Sequence, residues 1–277
     1  MPNDPAHGFN GGEGLEGDLR RAHAEGRLFG ILNGCEYPRP AGRRPGWQRI
    51  VTMAKVQLIK WQRRDDDHRF AELAIRQLDA LPKRRPNHVV VSVGRLAAQK
   101  VSLFLETLAD GRTALEHVLD AVGGQGVLII LGSGETEYEE RLRSIAAEAG
   151  NFIFLRGYSD PLADALYRSG DLFLMPSSFE PCGISQMLAM RAGQPCIVHG
   201  VGGLKDTVNN GSNGFVFNGE TAAQQAENFV ATVDRALQVK VNYEELWKRI
   251  GKYAAAARFD WPTSAQQTIG MLYDDAD

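Results

Sequence analysis

Glu180, Cys182 and Gly183 stand in a short polar turn between two apolar patterns. Leu172 to Met175 reads as a buried strand. Pro176 ends it, having no amide hydrogen for a sheet ladder. Beyond Gly183, the residues Ile184, Met187, Leu188 and Met190 recur at helical spacing. A strand therefore runs through a tight turn into a helix. The first turn of a helix leaves backbone N–H groups unpaired at the positive end of its dipole, where a phosphate is stabilised. Glu180 adds a negative charge and two acceptors just before that end. The combination suits a ligand with hydroxyls beside a phosphate, as in a sugar nucleotide. The same pattern also fits an ordinary strand-to-helix turn carrying an incidental carboxylate.

Other strand ends carry further candidates. Arg95 and Lys100 follow the run His88 to Val93 and could address one anion, Arg as a bidentate fork and Lys as a point charge. Two cations near a pyrophosphate would stabilise the charge that builds as it departs; as solvated surface charges they would do nothing of the kind. Tyr158, after Gly157, offers a ring to stack on a nucleobase or to pack on its neighbours. Gly132-Ser133-Gly134 and Gly202-Gly203 are short glycine clusters that could approach a phosphate or merely end strands. Cys182 and His199 form a conceivable nucleophile–base pair only if the fold brings them together. There is no GxGxxG, no P-loop and no His/Cys/Asp set with metal-ligand spacing.

These residues need a scaffold. Helical periodicity covers Leu15 to Arg27, Ile50 to Trp61, Phe70 to Leu81, Leu103 to Val122, Glu135 to Ala149, Pro161 to Arg168, Thr221 to Leu237, Tyr243 to Ala257 and Pro262 to Tyr273. Between them lie six apolar runs: His88 to Val93, Gly126 to Leu131, Phe152 to Leu155, Leu172 to Met175, Cys196 to His199 and Phe215 to Phe217. Strands alternating with helices predict an α/β, Rossmann-like, doubly wound parallel sheet, with ligands at the carboxyl ends of its strands. Residues 1–14, rich in Gly, Pro and Asn, are expected to be disordered. Residues 38–46 are turn-rich and read as a linker, so 1–46 is taken as a flexible N-terminal segment and 47–277 as the ligand-binding domain.

Charge and composition narrow the function classes. The 277 residues carry 31 basic and 34 acidic side chains, a net charge of −3 that argues against a nucleic-acid footprint over the whole chain. Lys83-Arg84-Arg85 reads as a solvated loop. Three scattered cysteines, Cys35, Cys182 and Cys196, fit a reducing compartment and no metal framework. The start lacks a secretory pattern and no apolar run spans a bilayer, so a cytoplasmic protein without membrane partners is expected.

The motifs, taken together, resemble one family. The segment Pro176 to Met190, PSSFEPCGISQMLAM, is similar to the signature of bacterial glycogen synthases and plant starch synthases, retaining glucosyltransferases of the two-domain GT-B fold. In the same order, Gly94-Arg95-Leu96 with Gln99-Lys100, Gly157-Tyr158, Gly202-Gly203-Leu204 with Asp206-Thr207-Val208, and Asn213-Gly214-Phe215 resemble further motifs of that family. Gly30-Ile31-Leu32-Asn33-Gly34 is similar to the opening of its C-terminal domain, and Phe259-Asp260-Trp261 to that domain's end.

The resemblance implies a role for each residue. Arg95 and Lys100 would hold the donor pyrophosphate, Glu180 the transferred glucose, and Tyr158 would stack on adenine. Backbone groups of Cys182, Gly183 and Ile184 would meet sugar hydroxyls, Ser185 would approach the distal phosphate, and Gly202 and Gly203 would border the donor. The implied donor is ADP-glucose or UDP-glucose, the acceptor an α-1,4-glucan, with no bound metal or cofactor. A non-catalytic nucleotide-sugar-binding module, or a GT-B transferase with another acceptor, are the alternatives. The family's Lys-x-Gly-Gly-Leu motif is missing, so the chain is expected to be the donor-binding half, completed by a separate N-terminal half or a second copy. Its last helix, with Ile269, Met271, Leu272 and Tyr273, is then expected to expose an apolar patch. Ser178 stands where a basic residue is common, Val101 where a glycine is, and Ile184-Ser185 where Leu-Thr is.

Overall fold

A computed structural model describes residues 14–37, 43–64 and 67–273. Six strands form one parallel sheet: β1 (His88–Val93), β2 (Gly126–Gly132), β3 (Phe152–Arg156), β4 (Leu172–Met175), β5 (Cys196–His199) and β6 (Gly214–Phe217). Their order is β3-β2-β1-β4-β5-β6. The sheet grows outward in both directions from β1 and β4, which pair through Val90–Leu172 and Val91–Phe173. This reversal point opens a crevice at the strands' carboxyl ends.

The helices are α1 (Glu16–Ala24), α2 (Trp47–Gln62), α3 (Arg69–Ala80), α4 (Ala98–Leu105), α5 (Ala114–Val122), α6 (Thr136–Glu148), α7 (Asp160–Ser169), α8 (Ser185–Arg191), α9 (Leu204–Thr207), α10 (Ala222–Asn242), α11 (Glu244–Ala256) and α12 (Trp261–Leu272). The strands are mostly apolar because both faces are covered. Val89, Val91 and Val93 pack with α2, α7 and α8. Val90, Leu128 and Ile130 pack with α4, α5 and α10. Phe104 and Phe229 meet edge-on at 5.4 Å in the second layer.

The expectation of one helix over Leu103 to Val122 is corrected: α4 and α5 are separated by a loop. Gly111 turns that loop at φ +84°. Thr113 then caps α5 reciprocally with Glu116, whose amide lies 3.3 Å from the threonine hydroxyl. The apolar period ran on across the break because both helices face the same layer. The short α9 carried no periodicity to reveal it. α10 continues five residues beyond Leu237, and Val56 and Ile59 of α2, counted on its apolar face, are exposed.

The termini behave differently from each other. The disorder expected for residues 1–14 falls, apart from Gly14, outside the described residues, as do 38–42 of the expected linker. α1 buries none of its residues. Residues 33–37, by contrast, are docked. The Cys35 amide donates to Phe259 O at 2.6 Å, and the Phe259 amide to the Tyr37 hydroxyl at 3.0 Å. A Cβ on Gly34 would lie 2.4 Å from the Trp261 backbone nitrogen. The Asn33-Gly34 pair thus permits a close approach between this segment and the start of α12. Of the residues expected to form an apolar patch at the end of the last helix, Ile269, Met271, Leu272 and Tyr273 are each exposed.

Two strand-end loops touch backbone to backbone, and glycines make this possible. A Cβ on Gly132 would lie 2.1 Å from Gly94 O, and one on Gly134 2.2 Å from Leu96 O. Gly132→Ala is expected to lower unfolding free energy by about 1–3 kcal/mol, as overpacking does, read as a shifted urea midpoint. Gly124→Ala, whose Cβ meets nothing within 4 Å, is the control and should leave the midpoint nearly unchanged.

Candidate functional site

The crevice between β1 and β4 holds a hollow of about 460 Å³. Five of the sequence candidates line it: Arg95, Lys100, Tyr158, Ile184 and Ser185. They come from three strand-end loops and the starts of α4 and α8. Ser133 of the glycine cluster and Ser177 of the motif segment line it as well, as does Tyr167, which nothing in the spacing singled out. Tyr167 sits on an apolar helical stripe, so its hydroxyl's contact with Ser185 is tertiary information.

Lys100 lies on the first turn of α4 and Glu180 in the loop after β4. The Lys100 ammonium donates directly to Glu180 Oε2. The two side chains are 19% and 9% exposed, so the charges are largely out of water. Burial, and then the neighbouring Arg95 cation, pull the Lys100 ammonium down to about 8. The Glu180 carboxylate opposes that pull by favouring the charged form. Arg95 is exposed and, among the described residues, makes no hydrogen bond or ion pair. The cleft therefore presents one uncommitted guanidinium and one ammonium held by a single carboxylate.

The loop bearing Glu180 is held from below. The Ser178 amide donates to Gln99 O at 2.8 Å, joining it to the α4 turn. The Gly203 amide donates to Glu180 O at 3.0 Å. A Cβ on Gly202 would lie 1.8 Å from Glu180 O, and one on Gly203 2.6 Å from Cys182 Cα. Gly202 and Gly203 thus lie beneath the loop and outside the hollow. Gly183 adopts φ +74° over the buried Gln186, whose side-chain amide donates to the Cys182 and Gly183 carbonyls at 3.2 and 3.0 Å.

Cys182 also lies outside the lining. Its sulfur accepts from the Asn33 amide at 3.2 Å, and burial pushes the thiol up despite that bond. His199 is buried, stacked on Phe217 at 5.0 Å, with Nδ1 3.1 Å from Ser177 O. Neither group is poised as half of a nucleophile–base pair. Tyr158 is more than half exposed at the rim, its hydroxyl donating to Asp160 at 2.9 Å. The preceding Gly157, at φ +144°, leaves room for Trp61, which a Cβ would approach to 2.7 Å.

A larger hollow, about 850 Å³, lies at the opposite edge of the sheet beside Gln125 and Asn151. Its cation, Arg112, is paired with Asp120 at 2.7 Å and its Glu116 is spent on the α5 cap. Unlike the first hollow, it has no unpaired cation among its described lining residues. Among the described residues no group of His, Cys, Asp and Glu could hold a metal ion.

Breaking the buried pair tests its energetic role. Lys100→Met leaves Glu180 buried without its cation and is expected to cost about 2–4 kcal/mol of stability. Adding Glu180→Gln should recover half or more of that loss, measured by denaturant unfolding of both variants.

Known proteins share this fold. Residues 75–256 match the family described as Glycosyl transferases group 1. Glycogen synthase of Desulfitobacterium hafniense is 32% identical over 262 residues, 92% of this chain and 48% of that protein. Glycogen synthase of Thioalkalivibrio sulfidiphilus is 32% identical over 98% of this chain and 52% of its own. The chain spans about half the length of these curated relatives. Among solved structures, the catalytic domain of Arabidopsis thaliana starch synthase IV, bound to ADP and acarbose, superposes with a TM-score of 0.63 at 25% identity. That match covers 96% of this chain and 52% of that one. Anabaena HepE in complex with UDP and glucose shares the fold, with a TM-score of 0.55 at 20% identity over 88% of this chain and 56% of its own. The sheet is that of a GT-B C-terminal domain, and with a family match spanning most of its length the chain belongs to the group 1 glycosyl transferases.

Proposed function

We propose that this chain is the donor-binding half of a glucosyltransferase of the glycogen and starch synthase kind. It would move glucose with retention from ADP-glucose, or UDP-glucose, to an α-1,4-glucan. One observation carries this reading: Arg95, Lys100, Tyr158, Ile184 and Ser185 converge on one hollow at the reversal point of the sheet, with Glu180 in contact with Lys100. That hollow is walled by cations on one side and an aromatic ring at its rim, as a nucleoside diphosphate requires. The ADP bound to the starch synthase relative supports the choice of donor. The division at residue 46 belongs to the same reading, with 1–46 as interdomain junction and 47–277 as donor domain. So does a cytoplasmic location.

In this reading the diphosphate lies between Arg95, Lys100 and the start of α8. A diphosphate that takes Lys100 frees Glu180 for the glucose hydroxyls. As the bond to glucose breaks, negative charge grows on the departing diphosphate, and two cations already in place stabilise it without reorganisation. Tyr158 stacks on the base. Backbone groups of Cys182, Gly183 and Ile184 face the sugar, and Gly202 and Gly203 act through the loop they support. The exposed side chains of α12 and the unburied α1 would pack on the acceptor-binding half.

Calorimetric titration with ADP-glucose and with ADP tests the donor assignment; absence of heat with both at millimolar ligand would sink it. Glucan elongation with and without an added acceptor-binding half separates an enzyme half from a binding module. Transfer with the added half supports the former, and binding with no transfer the latter. Lys100→Ala is expected to weaken ADP binding about tenfold or more, the worth of a charge-assisted hydrogen bond. Ser178→Ala, whose hydroxyl faces Gln99 O, should change it less than about twofold.

A pH dependence follows from Lys100. Below about 8 the ammonium is present and this group leaves affinity flat. As pH rises through that value the free protein loses the proton, and an anion must recruit it back to bind. ADP affinity is then expected to fall by up to about tenfold per pH unit between pH 8 and 10. Lys100→Arg, charged throughout this range, should abolish the decline in the same titration.

A further inference from the structure

The buried carboxylate of Glu139 has no part in the roles above, yet it sits behind the hollow. It is 3% exposed, on the inner face of α6. Its Oε1 accepts the Gly134 amide at 2.8 Å, and its Oε2 accepts Arg156 Nε at 2.5 Å. The Arg156 guanidinium lies over the Phe70 ring at 4.4 Å, which fixes that end of the pair. The loop that Glu139 grips is bonded in turn to the Arg95 loop. The Leu96 amide donates to Ser133 O at 3.0 Å and the Glu135 amide to Leu96 O at 2.8 Å. Leu96 and Gly134 form an isolated parallel bridge. The Gly134 amide is therefore spent inside the protein, and the glycine cluster is a joint between two loops, with one of its amides withdrawn from any phosphate.

We propose that Glu139 is a positioning residue for the diphosphate. It fixes the Ser133–Glu135 loop, which fixes Leu96, which aims Arg95 into the hollow. This rests on the donor reading above and deepens it. Arg95 is exposed and bonded to nothing among the described residues, so only its backbone sets where the guanidinium can reach. Lys100 is placed otherwise, by α4 and by its contact with Glu180. Glu139 therefore couples to Arg95 and not to Lys100.

The test is a pair of double-mutant cycles read by calorimetric titration of ADP into the intact chain. Glu139→Ala should weaken ADP about tenfold with unchanged binding stoichiometry, and Arg95→Ala by a similar factor. The Glu139→Ala/Arg95→Ala double variant should bind no worse than Arg95→Ala alone. Combined with Lys100→Ala, the two losses should multiply. A merely structural role would lower the fraction of active protein or weaken both backgrounds alike. If Glu139→Ala does not fold, Glu139→Gln, which keeps an acceptor for the Gly134 amide, should show the same coupling at smaller amplitude. Unchanged affinity, or losses that multiply with Arg95→Ala, would overturn the proposal. Failure of the unaltered chain to bind ADP would instead overturn the donor reading, and that titration comes first.

Discussion

A lysine and a glutamate, held together across the reversal point of a parallel sheet, set the terms for everything around them. Lys100 follows β1 and Glu180 follows β4, and the two strands are neighbours only because the sheet grows outward from them. Removing two charges from water costs several kcal/mol per ion in real proteins, and their attraction offsets that only in good geometry. Each therefore needs the other, or a replacement. Burial, and then Arg95 beside it, pull the Lys100 ammonium down, so added negative charge there would favour its charged form. The proposed diphosphate would enter a cleft whose charges are already in place.

Rigid backing is the second requirement, and glycine supplies it by an unexpected route. Gly132, Gly134, Gly202 and Gly203 all stand where a side chain would collide with a neighbouring backbone. Their small size lets strand-end loops lie directly on one another, so that amides and carbonyls pair between loops. Gly132 and Gly134 join the β1 and β2 loops, Gly202 and Gly203 join the β4 and β5 loops, and the Ser178 amide ties the two pairs together through Gln99 O. Arg95, Lys100 and Tyr158 line the hollow beside this connected rim.

The chain's likeness to glycogen synthases runs over about half of each relative. That half contains a complete sheet, two covered faces and a cleft, so its core is self-sufficient. Its edges are not. The last helix shows Ile269, Met271, Leu272 and Tyr273 to solvent, while α1 buries nothing. Meanwhile residues 33–37 bind both the Glu180 loop, through Cys182, and the segment entering α12. Residues 33–37 thus tie the Glu180 loop to the segment that enters the terminal helix.

Much of this was legible in the residue order. Six apolar runs alternating with helical periods imply a doubly wound parallel sheet, because a strand covered on both faces is apolar at most of its positions. Arg95, Lys100, Tyr158 and Glu180 were legible as strand-end residues, and the motif series marked them as a set; the fold brings Arg95, Lys100 and Tyr158 to one hollow and sets Glu180 against Lys100. The break between α4 and α5 was hidden, since two helices packed on one layer continue a single apolar period. The partners of each group were hidden too: a carboxylate at 139 on a charged helix reads as solvated until folding turns it inward against Gly134 and Arg156. Spacing along a chain records which face a residue takes within its own element. Which distant amide or guanidinium meets it there is settled only when the elements pack, because burial removes water as the competing partner and leaves each polar group dependent on whatever the neighbouring loop provides.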